Sequence, residues 1–506
     1  MKLIACSTDA LSSQPIVIMN SDDCLKIGVG PKDRVRISSS GSVVTTLIII
    51  DAMVEKGRIL ISPVELERCS AKDGDEVEVE FSALPDSIKS IRKKINGMEL
   101  SRQELDSIIN DIMIDNLSEM EILAFVCAFN IKNSTVREIA DLAMSMSATG
   151  TKVDLGKGPF YDFHSLGGIP GNKITPIVVS IVSSQGLKIP KLSSRAVSSA
   201  CGTSDYVETF CDVEFGTEGL KRIIDEVGGC FACGNRDYAP VGGKIINAER
   251  NMGIDPRPMM IASIMSKKVS LGITHLLIDI PMGKDTKVKD IATARAYAED
   301  LIEVGKILGM HVECAVTAAN QPLGTCIGPI LEAKECISIL EDGMGDDAVV
   351  QKACGLAGII FEMAGFKDGY RMARSALSSG IAHSKFLWIV EAQNGNPNIR
   401  SKDLVPGWIY KDVHAKFDGF VQFIDNECMV AIAKGAGAPF DAGAGIELYH
   451  KVGDRVSKGD ALFRIYAENQ SKLDRSVSSA RSRRPMRVSE DTVDGIPDKI
   501  LLETIR

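Results

Sequence analysis

The residue types best suited to chemistry are concentrated in one stretch, Asp162–Lys173, which reads DFHSLGGIPGNK. It contains a histidine, a serine and three glycines: His164, Ser165, Gly167, Gly168 and Gly171. An apolar segment with helical spacing follows directly. A glycine-rich turn that opens into a helix N-terminus presents backbone N–H groups without intrahelical partners, and such groups bind anions. A capped helix without a ligand would produce the same pattern, so the turn alone leaves both interpretations open.

A second stretch, Ser193–Asp205, reads SSRAVSSACGTSD and favours the anion-binding interpretation. It combines small hydroxyl side chains with one arginine, a composition that neither an amphipathic helix nor a strand requires. Arg195 can supply forked donors to a phosphate or to the edge of a nucleobase. The alternative is a solvated serine-rich loop, but the stretch contains no lysine and no glutamate, which argues against such a loop.

A third group of candidates surrounds a predicted helix that begins near Met259. Ser263 and Lys267 are four residues apart, so they share one face of this helix. Asp255 lies near its N-terminus. The alternative to a catalytic role for Asp255 is a capping carboxylate, and for Lys267 and Lys268 it is a solvated helix face.

The composition describes a globular protein of several domains. The chain has 506 residues, of which 45% are hydrophobic and 25% are charged. Its net charge of −9 argues against a general nucleic-acid binder, although local cationic sites for small anions remain compatible with it. No apolar run reaches the roughly 18 residues needed to cross a bilayer, so we expect no membrane partner and no signal peptide.

The cysteines indicate a reducing environment. Thirteen of them are scattered through apolar contexts, which is typical of free thiols, and we expect a cytoplasmic protein. Cys230 and Cys233 form a CxxC pair, but a structural zinc site requires a second ligand pair, and the sequence offers none at a suitable spacing. We therefore interpret this pair as structural and expect no metal site.

The pattern of apolar and turn residues predicts a multidomain α/β protein with four domains. Residues 1–84 alternate apolar and polar positions between turn signals, which predicts a small β-barrel domain with an accessory or assembly role. Residues 85–157 form a predicted α-helical domain. Its helices are marked by three candidate capping boxes: Ser101 with Glu104, Ser118 with Glu121, and Thr135 with Glu138.

The second half of the chain contains two regions with different predicted secondary structure. Residues 158–409 alternate strands and helices, which predicts a central α/β domain with a mostly parallel sheet and ligands beyond the carboxyl ends of its strands. Residues 410–506 form a C-terminal α+β domain. We expect its polar tail, beyond about residue 470, to be partly disordered or loosely docked.

Four motifs in order resemble the thymidine phosphorylase family. They are DFHSLGGIPGNK, IPKLSSRAVSSACGTSD, IDPRPMMIASIMSKK and VGDRVSKGDALFRIYAE. The additional N-terminal β domain and the GIPGNK form of the turn resemble most closely the archaeal AMP phosphorylase branch. The similarity covers nearly the whole chain and weakens in its last 30 residues or so.

The resemblance implies a pentosyltransferase that cleaves an N-glycosidic bond with phosphate. The expected reaction converts a nucleoside 5′-monophosphate and inorganic phosphate into ribose 1,5-bisphosphate and free base, in nucleotide salvage or degradation. AMP is the expected substrate, with CMP and UMP as further candidates. Inorganic phosphate would be a co-substrate, and no cofactor is expected. We further expect a homodimer or a larger homo-oligomer without nucleic-acid partners.

The resemblance also implies roles for individual residues. Asp255 matches the proton donor to the leaving base, a role that requires a raised pKa. Residues matching nucleotide contacts are Gly168, Ser194, Arg195, Ala196, Val197, Ser198, Ser199, Thr203, Ser263 and Lys287. Additional candidates are His164, Ser165 and Lys267, of which Lys267 resembles a lysine that contacts the base carbonyl in thymidine-type members.

The chain departs from the family pattern at three places. Where the family usually reads Ala-Pro-Ala-Asp-Asp, this chain has Ala-Pro-Val-Gly-Gly at residues 239–243. Phe163 replaces a phosphate-contacting lysine of thymidine-type members, which argues against a thymidine enzyme. Pro258 adds a second proline to the loop beside Asp255. Two alternatives therefore stay open: a pyrimidine nucleoside (thymidine) phosphorylase, and a nucleotide-binding homologue that has lost activity.

Overall fold

A computed structural model of the chain describes residues 1–9, 16–39, 42–131, 134–196, 199–234, 237–493 and 499–506. The N-terminal elements are β1 (Lys2–Ser7), β2 (Ile16–Met19), α1 (Ser21–Ile27), β3 (Arg34–Ser39), β4 (Ser42–Ile50), β5 (Arg58–Ile61), α2 (Pro63–Arg68) and β6 (Glu76–Ser82). The strands close into a barrel in the order β1–β5–β2–β4–β3–β6. Alternate residues of β3 and β6, such as Val35 and Val77, are buried inside it because successive side chains of a strand point to opposite faces.

Helices follow the barrel: α3 (Ser87–Ile95), α4 (Arg102–Met113), α5 (Glu119–Ile131) and α6 (Val136–Ala148). Two predicted capping boxes are confirmed, Ser101 with Glu104 and Ser118 with Glu121. The third prediction is wrong in part. Thr135 accepts from the Glu138 N–H (3.1 Å), but the Glu138 carboxylate binds the buried Lys94 ammonium instead (2.5 Å). Glu138 therefore links two helices through a buried ion pair, which its spacing from Thr135 does not indicate.

Strands and helices then alternate. They are β7 (Tyr161–Ser165), α7 (Thr175–Ser184), β8 (Ile189–Ser193), α8 (Thr203–Val207), α9 (Thr217–Val227), β9 (Gly229–Cys233), α10 (Val241–Met252), α11 (Arg257–Ser270), β10 (His275–Met282), α12 (Ile291–Ile307), β11 (His311–Ala318), β12 (Cys326–Ile327), α13 (Pro329–Asp342), α14 (Asp347–Met363), α15 (Gly369–Ser378) and α16 (Ile381–Ala392). β7, β10 and β11 are parallel neighbours in one sheet. β8 and β9 form a parallel pair, and a bridge between Phe160 and Lys188 places β8 next to β7.

The C-terminal elements are β13 (Ile409–His414), β14 (Gly419–Ile424), α17 (Asn426–Ala436), β15 (Gly445–Leu448), β16 (Arg455–Val456), β17 (Ala461–Ala467), α18 (Gln470–Arg483), β18 (Met486–Ser489) and β19 (Leu501–Ile505). β15, β17 and β13 form an antiparallel sheet with β12, and β14 pairs with β16 and β18. These strands and the two helices α17 and α18 share their own hydrophobic core.

The prediction of a loosely docked tail is wrong for its described residues. α18 packs against α17, where the buried Ser476 hydroxyl donates to the Ile432 carbonyl (2.7 Å). β19 pairs antiparallel with β11 and so extends the central sheet. Arg506 adds ion pairs to Glu313 (3.0 Å) and Glu362 (2.6 Å). Polar composition did not reveal this docking because a few buried apolar residues, such as Leu473 and Met486, together with backbone pairing and ion pairs, supply it.

The chain forms two compact units. The first comprises Met1–Thr149 with Pro240–Ser263, and the second comprises Gly150–Ala239 with Ile264–Arg506. The first unit thus holds the barrel and helices α3–α6 together with α10. The second holds the α/β sheet and the C-terminal elements. Among the described residues, no helix combines the length and the apolar composition that a bilayer crossing requires.

Helix α10 packs with α4 and α5. Its Lys244 ammonium donates to the Met113 carbonyl (2.8 Å) and to the Asp115 carboxylate (2.5 Å). Residues 240–263 lie within the stretch predicted to be α/β, but the structure assigns them to the first unit. A helical pattern shows that a helix forms, but it does not show which core the helix joins.

Candidate active site

In the second unit, candidate residues follow the carboxyl ends of neighbouring parallel strands. Ser165 ends β7, residues 194–196 follow β8, and Lys287 follows β10. Because these strands run parallel, their carboxyl ends meet at one edge of the sheet, where ligands bind in open α/β folds. The structure therefore brings the glycine turn, the serine-rich stretch and Lys287 to the same edge.

The glycine turn depends on conformations that other residues rarely adopt. Gly167 and Gly168 have φ values of +81° and +91°. A Cβ atom added to Gly168 would lie 3.2 Å from the Lys287 backbone nitrogen and 3.4 Å from the Thr286 Cα. The turn thus lies directly against the loop after β10, and two of the predicted nucleotide contacts, Gly168 and Lys287, are neighbours.

The accessible donors belong to the turn and not to the helix behind it. Gly168 is exposed, whereas the first turn of α7, beginning at Thr175, is buried. Packing covers the first turn of α7, and an anion site at this helix N-terminus stays a prediction. The Ser165 hydroxyl oxygen accepts from the Gly167 N–H and from the Asn172 amide, both at 3.3 Å. Its own hydrogen is not used in these two bonds and can be donated to a ligand.

The serine-rich stretch is held closed by a carboxylate that sequence reasoning missed. Asp205 Oδ2 accepts from the backbone N–H groups of Ala196 (2.7 Å) and Gly202 (2.8 Å). A Cβ atom added to Gly202 would lie 2.5 Å from the Ala196 nitrogen and 2.6 Å from the Ser194 carbonyl oxygen. The two ends of the stretch therefore touch, which fixes the main chain of Ser194–Ala196.

The guanidinium of Arg195 is bonded to carboxylates of the protein itself. Its guanidinium donates to Glu208 at 2.5 and 2.8 Å and to Glu214 at 3.0 Å. Three of its five N–H donors are thus bonded to Glu208 and Glu214, and its contact with a ligand stays a prediction. Arg195 ties the serine-rich stretch to α8 and to the loop that follows it.

The remaining predicted residues of this stretch are divided between described and masked positions. Thr203 is the first residue of α8 and is half-buried. The Ser199 hydroxyl donates to the Cys201 carbonyl (3.0 Å). Val197 and Ser198 lie outside the described residues.

A group of buried cations lies beside β7. The Lys268 ammonium donates to Asp162 Oδ2 (2.5 Å), and both side chains are completely buried. Lys191 lies 3.6 Å from the other oxygen of Asp162 and donates to the Leu192 carbonyl (2.6 Å). Lys267, expected either on a solvated face or at the ligand, is 9% exposed. The solvated-face alternative is therefore wrong for Lys267 and Lys268.

These lysines act electrostatically on His164. Its pKa is held well below the ordinary value by burial and by the charges of nearby lysines, so the imidazole is neutral near pH 7. Its Nδ1 atom is buried and has no hydrogen-bond partner among the described residues. Burial and the neighbouring Lys268 lower the pKa of Lys267 to about 8, and burial lowers that of Lys191 to about 8. Asp162 balances only part of this charge, so the cluster of Lys191, Lys267 and Lys268 favours an anion.

In the first unit, Asp255 and Ser263 frame the start of α11. Asp255 is exposed in the loop that precedes the helix, and Ser263 is half-buried within it. A Cβ atom added to Gly242 would lie 3.8 Å from the Ser263 hydroxyl. The Val-Gly-Gly departure from the family pattern therefore lies directly beside a predicted nucleotide contact.

Three models of protein families match the chain. Residues 88–150 match the helical bundle domain and residues 157–383 the a/b domain of a glycosyl transferase family. Residues 420–486 match the C-terminal domain of pyrimidine nucleoside phosphorylases.

Close relatives cover almost the full chain. It is 42% identical to the AMP phosphorylase of Thermococcus kodakarensis over 95% of this chain and 96% of the relative. It is 42% identical to the AMP phosphorylase of Pyrococcus furiosus over 93% and 95% of the two chains. For AMP phosphorylase 1 of Archaeoglobus fulgidus the identity is 40% over 94% of each chain.

A solved structure shares the fold. It is the anthranilate phosphoribosyltransferase of Thermus thermophilus, with a TM-score of 0.52 and 18% sequence identity. The similarity covers 60% of this chain and 99% of the other. At this level of identity, the likeness concerns the fold alone.

Proposed function

Because the chain belongs to the AMP phosphorylase family, we propose that it is a pentosyltransferase that cleaves the N-glycosidic bond of AMP with inorganic phosphate. The products would be ribose 1,5-bisphosphate and adenine. The observation that carries the proposal is that the exposed glycine turn, the closed serine-rich loop and the loop of Lys287 meet at one sheet edge, while buried lysines lie beside β7. The reaction brings together the 5′-phosphate of AMP and inorganic phosphate, so it requires a site with several donors to anions.

The chemistry assigns distinct tasks to these features. In the transition state the C1′–N bond lengthens, positive charge develops on the ribose, and the phosphate oxygen approaches C1′ from the opposite side. The backbone of Gly168 and the side chains of Ser165 and Lys287 would hold an anion, and the fixed main chain of Ser194–Ala196 would bind the nucleotide. Positioned donors of this kind lose little entropy when the substrate binds.

Asp255 is the proposed proton donor to the leaving base. Asp255→Asn should reduce kcat by about 10²-fold or more, as loss of a general acid does, while the affinity for AMP measured by calorimetry stays close to the wild-type value. Asp290→Asn is the matched control, because Asp290 caps α12 by accepting from the Thr293 N–H (2.8 Å). If Asp255 only caps a helix, both variants will lose a little stability and neither will lose rate.

We place the enzyme in the cytoplasm because all thirteen of its cysteines are free. We expect a homodimer or larger homo-oligomer, to which the N-terminal barrel contributes. Sedimentation of the full chain and of a chain lacking residues 1–84 would test the role of the barrel.

The deciding experiment is release of free base from AMP, CMP, UMP and thymidine, each with and without phosphate. We expect phosphate-dependent release from the monophosphates and none from thymidine. Release from thymidine alone would identify a nucleoside enzyme instead. Retained AMP binding without any release would identify a nucleotide-binding protein and would implicate the Val-Gly-Gly sequence at residues 241–243.

A further inference from the structure

Lys173, the last residue of the glycine-rich motif, has no task in the proposed mechanism. Its side chain is completely buried, which is rare for a lysine unless the ammonium is paired. It directly follows the residues that approach the ligand edge, so its contacts determine how the turn is held.

The Lys173 ammonium joins the turn to a second segment of the same unit. It donates to the Leu323 carbonyl (2.8 Å) and forms an ion pair with Glu335 (2.8 Å). The Glu335 carboxylate in turn accepts from the backbone N–H groups of Thr325 (3.0 Å) and Cys326 (2.9 Å). The Lys173–Glu335 pair thus bonds three backbone groups of residues 323–326 and holds them against the turn, while the Lys451 ammonium bonds the Gly324 carbonyl (2.7 Å).

The two segments approach each other too closely for larger residues. A Cβ atom on Gly171 would lie 2.5 Å from the Leu323 carbonyl oxygen, and one on Gly324 would lie 2.6 Å from the Lys173 Nζ. The Leu323 N–H also donates to the Pro170 carbonyl (3.0 Å). Residues 170–173 and residues 323–326 therefore stabilise each other's conformation.

The ammonium remains charged in this setting. Burial alone would lower the pKa of Lys173, but the carboxylates of Glu335 and Glu332 outweigh burial and raise it above the ordinary value. A neutral replacement would leave the Glu335 carboxylate, whose side chain is only 11% exposed, without its ion-pair partner, which is unfavourable.

We propose that Lys173 is a positioning residue, an internal cation that holds the glycine turn in the conformation that binds the anionic substrate. The inference rests on the proposed function, since it assigns the turn to that substrate. Lys173 itself is too buried to touch a ligand, so it acts through the backbone of Gly167 and Gly168.

The first test compares Lys173→Met with Lys94→Met. Lys94 is also a buried lysine in an ion pair, with Glu138 at 2.5 Å, but it belongs to the helices of the first unit. Both variants should lose thermal stability. Only Lys173→Met should raise the KM for phosphate or for AMP, by about 10-fold or more, with a smaller change in kcat. Equal stability losses with unchanged KM values in both variants would overturn the proposal.

The second test restores the cation chemically. Lys173→Ala removes the side chain beyond Cβ, and propylammonium supplies the missing carbons and charge. Glu335 lines a partly open cavity of about 360 Å³, which offers a small amine a route to the site. Propylammonium should recover much of the lost affinity, whereas propanol, which lacks the charge, should recover none. Equal effects of the two molecules would overturn the proposal.

A third variant covers the case in which Lys173→Met does not fold. The double variant Lys173→Met/Glu335→Gln removes both buried charges together and should fold where the single variant does not. If it binds AMP and phosphate as the wild type does by calorimetry, the ammonium has no positioning role. Because calorimetry needs no turnover, this result is independent of the base-release assay: an inactive wild type would refute the proposed function, while weakened binding by the variants would still support the role of Lys173.

Discussion

At the scale of residues, two buried lysines, Lys191 and Lys268, share the single carboxylate of Asp162, and a third buried lysine, Lys267, precedes Lys268 on α11. Lys268 is paired with Asp162 at 2.5 Å, whereas Lys191 is more distant at 3.6 Å. Burial penalises the charged form of a lysine, and an incoming anion relieves that penalty. Substrate binding and lysine protonation should therefore be linked.

This linkage predicts a pH dependence of AMP binding. Lys191 and Lys267, each with a pKa of about 8, are cationic below that pH and neutral above it. AMP keeps a constant charge above about pH 7, because the second pKa of its phosphate is near 6. The affinity for AMP should hence fall as pH rises through about 8, as calorimetry between about pH 7 and about pH 9.5 would show.

Substituting Lys191 should flatten this pH profile. In Lys191→Met, AMP should bind less tightly at pH 7 and change less on raising the pH. Lys188→Met is the control, since Lys188 pairs on the surface with Asp225 at 2.9 Å. A wild-type profile without any step near pH 8, or a Lys188 variant that behaves like the Lys191 variant, would contradict the assignment.

The Val-Gly-Gly sequence yields a prediction about base preference. Gly242→Asp would restore a carboxylate that the family usually has. The added Cβ atom would lie 3.8 Å from the Ser263 hydroxyl oxygen. If Ser263 contacts the nucleotide, the ratio of kcat/KM between AMP and UMP should change by about 10-fold. Gly243→Asp has open space around it and should leave the ratio unchanged. Identical ratios in both variants would separate this region from base selection.

At the scale of elements, two helices of the second unit begin with a glycine under opposite constraints. Gly202 precedes α8 and touches the backbone of Ser194–Ala196, whereas Gly216 precedes α9 and has no atom within 4 Å of an added Cβ. Both have negative φ values, so alanine is conformationally acceptable at either position.

The comparison predicts that Gly202→Ala opens the serine-rich loop. The added Cβ atom would lie 2.5 Å from the Ala196 nitrogen, and the backbone must move because no flexible side chain can yield. AMP affinity should fall by about 10-fold or more, while Gly216→Ala should bind AMP normally. Calorimetry on the two variants decides the matter, and equal affinities would show that the closed loop is not needed.

The sheet edge was predictable from sequence, and several of its contacts were not. Strand–helix alternation implies parallel strands, and parallel strands bring Ser165, Ser194 and Lys287 to one edge whatever the details. The partners of Arg195 could not be foreseen, because Glu208 and Glu214 follow no local spacing rule that points back to it. Their contact depends on how α8 and the next loop pack.

The buried lysines illustrate a second limit. A Lys-Lys pair at the end of a helical stripe normally faces water, so Lys268 gave no sign of burial. Its partner, Asp162, lies on a strand more than a hundred residues earlier, at a separation of 106. Lys191 carried a weak signal, because it stands among apolar residues in the sequence IPKL.

At the scale of the whole molecule, the C-terminus completes the central sheet. β19 covers the free edge of β11 through antiparallel pairing. A chain ending at residue 498 should therefore unfold at least about 2 °C lower and aggregate more readily, since it exposes unpaired strand groups. Differential scanning calorimetry and light scattering would measure both effects.

The surface ion pairs of the tail should contribute much less. Arg506 and Glu362 are 58% and 41% exposed, and exposed pairs are worth little. The buried Glu313 carboxylate keeps its contact with His311 Nε2 (3.1 Å) when Arg506 is removed. Arg506→Ala should behave almost like the wild type in both measurements. A truncated chain that is as stable as Arg506→Ala would show that β19 pairing is dispensable.

The division of the first unit into two runs has a consequence for synthesis on the ribosome. Helices α3–α6 are made first, but α10, which packs against α4 and α5, is encoded after residues 150–239. Those intervening residues contain β7, β8 and β9 of the other unit. Part of the apolar surface of helices α3–α6 therefore stays exposed until strands of a different core have emerged from the ribosome. The two units cannot mature strictly one after the other, and a nascent chain paused near residue 239 would hold neither of them complete.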